Sequence, residues 1–231
     1  MHSLFERYFK GELEFFELAP LYQQDYKNHV KTAFPPNRYV DLGEKYYETG
    51  LSYLNTFEGL PSHYEVVEVE DKANIVIENR PFVGFIDLVL RDKNTNDLMI
   101  LDHKSKADFK SDAEYHEYLR QLYLYAAFVK EKYGEYPTKL TFHMFRIGKI
   151  IEGDFQKSEL EATKKWFLTT IDAIYHDTVF EDKISRSYYE NFKDIETYKP
   201  GSDFFCAHLC SVREHCPRSG CMKKRTTRLR K

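Results

Sequence analysis

The sequence predicts an α/β fold with a central mixed sheet flanked by helices. Two observations predict it. The apolar periodicity passes from helical to strand-like and back, giving the order helices, antiparallel strands, helix, strands, helix, with no internal repeat. The runs "FVGFIDLVL" and "LMILDHK" are apolar almost throughout, as strands covered on both faces are, yet they carry Asp87, Asp102 and Lys104.

Residues 2 to about 33 have apolar positions at helical spacing, and Pro35 and Pro36 break them. A second helix is predicted from about Asp41 to Phe57, ended by "EGLPS". Strand-like runs follow: "YEVVEVE", "NIVIE", "FVGFIDLVL" and "LMILDHK", with turns at "DKA" and "RDKNTND". A long helix spans about Asp112 to Tyr133 and closes on Gly134, with Leu122, Ala126 and Val129 as its core stripe. A hairpin of "KLTFHMFRI" and "IIEGDF" turns at Gly148, and a last helix covers roughly Lys157 to His176.

Composition narrows the function. With 231 residues the chain suits one domain and a small appendage, and a formal net charge of −3 excludes a cationic surface over the whole molecule. The tail differs, because six of the nine residues in "KKRTTRLRK", 223 to 231, are Lys or Arg. No stretch approaches the roughly 18 apolar residues of a membrane span, and "MHSLFERYFKGELEFF" is charged where a secretory signal is apolar. These features predict a cytoplasmic protein that does not engage a membrane.

All four cysteines lie between Cys206 and Cys221 in the spacing C-x3-C-x5-C-x4-C. A disulfide framework spreads its cysteines to join distant loops, so this clustering predicts a metal site in a reducing compartment. Four thiolates suit tetrahedral Zn²⁺ or an iron-sulfur cube, and both readings stand; His208 and His215 are read as surface residues. The predicted division is a core of residues 1–180 and a cysteine-rich module with a basic tail over 181–231.

The charges on the two apolar strands carry the chemistry. A charge among Val, Ile and Leu persists only if something offsets its desolvation, and a bound cation does so. Asp87 and Asp102 at the ends of adjacent strands supply the oxygen ligands that Mg²⁺ or Mn²⁺ prefers, with the carbonyl of His103 as a third. Lys104, two residues beyond Asp102, shares its face of the strand and sits where it can orient a water and offset phosphate charge. In "YLRQLYLYAAFV", Gln121 and Tyr125 at i, i+4 share the helix face that can reach such a site.

Together "GFIDLVL", "ILDHKSK" and "QLYLY" resemble the PD-(D/E)XK nuclease superfamily, in particular the RecB-type branch that includes CRISPR-associated adaptation nucleases. The resemblance covers residues 40 to 155 directly. It implies a restriction-endonuclease-like core, Asp87 and Asp102 as metal ligands, Lys104 as the catalytic lysine, and Gln121 with Tyr125 as the substrate-positioning face. That family usually places a His or Glu on the helix before the sheet, near a Gly. Here the position four after Gly43 is Tyr47, flanked by Glu44 and Glu48, of which Glu48 is the preferred further ligand. RecB-type relatives often hold a 4Fe-4S cluster through one upstream and three C-terminal cysteines. Cys206, Cys210 and Cys216 match the three, and Cys221 stands in for the fourth, with structural Zn²⁺ as the alternative.

The expectation is therefore a metal-dependent DNA nuclease, an exonuclease on single strands or duplex ends. Its settings would be recombination, repair, phage replication or CRISPR adaptation in a bacterium or phage-infected cell, with a helicase or recombination partner. The alternative is a non-catalytic nucleic-acid-binding protein. The intact Asp87, Asp102 and Lys104 set separates the two, since a binding module has no use for two carboxylates beside a phosphate.

Overall fold

The computed structural model describes residues 1–31, 34 and 37–175, and Met1–Ile171 form one compact unit. The four cysteines, the basic tail and the predicted boundary at 180/181 lie outside the described residues. The N-terminal third contributes α1 (His2–Phe9), α2 (Leu18–His29) and α3 (Leu42–Thr56). One helical region predicted over residues 2 to 33 is thus two helices. The break follows from Gly11, which takes φ +74 just after α1, and a short 3₁₀ turn at Phe15–Glu17 restarts the chain into α2.

Five strands form one mixed sheet in the order β1-β2-β3-β4-β5, namely Tyr64–Ile77, Arg80–Asp92, Leu98–Lys104, Lys139–Met144 and Lys149–Asp154. Only β3 and β4 pair in parallel, because the long helix α4 (Asp112–Tyr133) carries the chain from one to the other. The predicted turn at "DKA" is instead the middle of β1, where Asp71, Lys72 and Ala73 pair with Ile86, Phe85 and Gly84. Those polar residues look like a turn locally, but Lys132 of α4 lies 2.8 Å from Asp71 and so gives its charge a partner. The hairpin turns at Glu78 and Asn79, both at positive φ as a two-residue loop of this hand requires.

Helix α4 is fixed at both ends by its own sequence. Ser111 accepts a bond from the Glu114 backbone N–H at 3.2 Å, and Gly134 closes the helix at φ +79. Its stripe of Leu122, Ala126 and Val129 is fully buried, together with Ile86, Ile100, Leu140 and Phe142 of the sheet and Leu160 of α5 (Lys157–Tyr175). Along β3, Ile100 faces this cluster while Met99 and Leu101 join Leu88 and Leu90 in another. Alternation along a strand makes these opposite faces of the sheet. A third cluster, with Phe5, Leu18 and Leu54, unites α1, α2 and α3. The sheet is therefore flanked by helices, as a restriction-endonuclease-like core is.

Candidate active site

Strands β2 and β3 pair only as far as Leu88 with Leu101, and the site lies just past that point. Where the ladder stops, the backbone N–H of His103 donates to the Asp87 side chain instead, at 2.7 Å. Burial alone would raise the Asp87 pKa, but hydrogen bonds from His2 and from the His103 backbone outweigh it and hold the carboxyl below its ordinary value.

Asp102 continues the Ile100 face, toward α4, and is 3% exposed. Its Oδ2 lies 2.6 Å from Lys104 Nζ in a close ion pair. Burial pushes Asp102 up to about 6, the Lys104 charge opposes this, and the charge of Asp87 adds to it. Lys104 also donates to Gln121 Oε1 at 3.2 Å, and Gln121 Nε2 donates to the Tyr125 hydroxyl at 2.8 Å. The chain Asp102, Lys104, Gln121, Tyr125 thus runs from strand end to helix, as the i, i+2 and i, i+4 spacings anticipated. Gly84 permits it, since a Cβ there would lie 2.4 Å from Tyr125 Cε1. The glycine in "GFID" is therefore a space for the tyrosine.

His103 points its ring the other way. It stacks on Phe5 and Phe9 of α1, with centroids 5.3 and 5.7 Å away, and its Nδ1 meets Nδ1 of His143 at 2.9 Å. Burial, reinforced by repulsion from His143, lowers its pKa to about 3, so the ring is neutral.

Two residues that sequence reasoning did not select complete the group. His2, the first residue of α1, brings Nε2 to 3.3 Å from Asp87 Oδ2 and Nδ1 to 3.4 Å from Glu70 Oε1. Its pKa is raised, first by the hydrogen bond to Asp87. Glu70 of β1 sits at φ +53, a region that costs a non-glycine residue about 1 kcal/mol or more, next to the bulge at Val66/Glu68. Burial and then Asp87 raise its pKa. Glu44 and Glu48 are exposed on α3 and do not belong to this group. In sequence His2 shows only that it shares a helical face with Phe5 and Phe9 at i+3 and i+7. For Glu70 the only signal was one acid among several in "VEVED".

The residues fit a divalent cation. One ligand atom each from His2, Glu70 and Asp87 lies within 4.8 Å of the others, while Asp102 Oδ2 is paired with Lys104 Nζ outside that cluster. Oxygen donors with a single imidazole suit Mg²⁺ or Mn²⁺ better than a thiolate-seeking metal.

Carboxylates and a lysine thus gather where the pairing of two central strands ends. The model of the PD-(D/E)XK nuclease superfamily matches residues 1–217, and the chain belongs to that superfamily. Membership implies nuclease activity in general. No curated protein matches the chain.

Proposed function

We propose that the protein is a divalent-metal-dependent deoxyribonuclease that works as an exonuclease on DNA ends. The observation that carries this reading is the ion pair of the buried Asp102 Oδ2 with the partly buried Lys104 Nζ, 2.6 Å apart, together with the cluster of His2, Glu70 and Asp87. Asp87, Asp102, Glu70 and His2 would hold Mg²⁺ or Mn²⁺, with the His103 carbonyl as a further ligand; the imidazole favours Mn²⁺ of the two. When bound, such an ion supplies Lewis acidity and lowers the pKa of coordinated water.

The protein's own groups do the rest. Lys104, steadied by Asp102 and Gln121, offsets phosphate charge and orients the attacking water. Gln121 and Tyr125 position the scissile phosphate, and the His103 N–H helps Asp87 keep its negative charge. In the same reading Cys206, Cys210, Cys216 and Cys221 hold a 4Fe-4S cluster or a structural Zn²⁺. The protein then acts in the cytoplasm, in recombination, repair, phage replication or CRISPR adaptation, with a helicase or recombination partner. Among the described residues, no helix is long and apolar enough to cross a membrane. The test is cleavage of end-labelled single-stranded and duplex DNA with and without Mg²⁺ or Mn²⁺, by the parent and by Asp87→Ala and Asp102→Ala.

A further inference from the structure

A cavity of about 950 Å³ opens beside His2, bounded by α1, α2, α3 and the segments after β3 and β4. That volume is at the upper end of the roughly 300–1,000 Å³ typical of ligand pockets. One wall is aromatic. Phe34 lies against Tyr46 with centroids 5.4 Å apart, and the Arg146 guanidinium sits 4.9 Å above the same Tyr46 ring.

The charge lining the cavity is positive on balance. Arg7, Lys106, Lys110 and Arg146 face Asp25 and Asp108, and Asp108 is already paired with Lys149 at 2.5 Å. Lys106 is held by Glu114, and Arg7 lies 3.6 Å from Glu12. Among the described residues, Lys110 and Arg146 have no carboxylate at ion-pair distance, although the Lys110 charge acts on Glu114 and Arg146 rests on the Tyr46 ring.

We infer that this cleft takes a single strand of DNA, its bases on the Tyr46 and Phe34 platform and its phosphates toward Lys110 and Arg146. The inference rests on the nuclease reading and names the form of the substrate. In a duplex the base faces are covered by one another, and only an unpaired strand can offer aromatic faces and phosphates to the same wall. His2 joins the two regions, since it lines the cleft and stands 3.3 Å from Asp87, so a strand lying there leads to the ligand group.

The experiment is fluorescence anisotropy with a labelled oligothymidine and a labelled blunt duplex of equal length, in EDTA so that nothing is cut. The parent should bind the strand more tightly than the duplex. Tyr46→Ala should raise the strand Kd about tenfold, as loss of one stacked base does, while Tyr46→Phe keeps parental affinity. Arg146→Gln should reduce the slope of log K against log salt by about 0.7, the value for one phosphate contact on a single strand. Thermal melts identify any variant that fails to fold; if Tyr46→Ala does, the Arg146→Gln slope decides alone. Equal affinity for strand and duplex, or folded variants that bind as the parent does, would overturn the cleft assignment. If the parent nevertheless cleaves DNA with Mn²⁺, the nuclease reading stands without the cleft; strand binding that depends on Tyr46 in a parent that never cleaves upholds the cleft and overturns that reading.

Discussion

His2 Nε2 lies 3.3 Å from Asp87 Oδ2, so the first helix of the chain adds an imidazole to a cluster whose acids lie on the sheet. Removing that imidazole should weaken metal binding more than it weakens the fold, because His2 is only half-buried at the start of α1. His2→Ala should require at least about tenfold more Mn²⁺ for half-maximal cleavage. Glu48→Ala, on the exposed side of α3, should match the parent. A metal titration of both variants checks this, and equal responses would remove α1 from the site.

Gly84 and Gly153 each lie against a tyrosine, but not equally. A Cβ at Gly84 would meet Tyr125 Cε1 at 2.4 Å and its hydroxyl at 2.8 Å, whereas one at Gly153 meets the Tyr115 hydroxyl at 2.8 Å and otherwise only a backbone oxygen at 4.0 Å. Gly84→Ala must displace the Tyr125 ring and with it the bond to Gln121, at a cost of about 1–3 kcal/mol. It should lower both stability and cleavage. Gly153→Ala needs only the far end of one side chain to move and should cost less in urea denaturation, with activity retained.

Acid should destabilise the fold through its buried imidazoles. Burial lowers the His143 pKa to about 4, below the ordinary value of roughly 6.5, and Tyr53 holds its Nε2 at 2.6 Å. A depressed folded-state pKa means that the fold prefers the neutral ring. Its stability is fully present above pH ~6.5 and is lost as the pH falls toward about 4. The slope for one such group approaches about 1.4 kcal/mol per pH unit. His143→Gln, which cannot titrate, should reduce the slope of the urea midpoint across that window, the rest being the share of His103; an unchanged slope would mean that His143 is not held neutral.

The cysteine spacing makes a prediction independent of the sheet. Protein purified without oxygen should carry metal at Cys206, Cys210, Cys216 and Cys221. About four irons per chain with visible absorption identifies a cluster, and one zinc without colour identifies a structural zinc site. Protein free of both would end the metal reading of these cysteines.

Much of the sheet side of the site was legible in sequence, for local reasons. Asp102 and Lys104 share a face because side chains alternate, and Gln121 and Tyr125 share one because a helix repeats near every four residues; both pairs meet at bonding distance. Ser111 and Gly134 mark the ends of α4 as their backbone roles require. What failed was long-range. Asp71 and Lys72 read as a turn because their partners on β2 and at Lys132 are distant in the chain. His2 was passed over for the same reason, since nothing in "MHSLFERYF" shows that Phe5 and Phe9 will stack on His103 and carry the imidazole to Asp87. Glu48, the further ligand expected from the sequence, lies on α3, whereas the cluster that could hold a metal ion draws on α1, β1 and β2.

Lys104, held between Asp102 and Gln121, is proposed to belong to a metal-dependent DNA-cleaving site. The most direct measurement is the initial rate of cleavage of end-labelled single-stranded and duplex DNA with Mn²⁺, by the parent and by Lys104→Ala of matched thermal stability. Cleavage by the parent should stop in EDTA, and Lys104→Ala should lose on the order of 10²-fold or more in rate, as for removal of one group that stabilises transition-state charge. A folded Lys104→Ala protein that cuts as fast as the parent would contradict this role for Lys104.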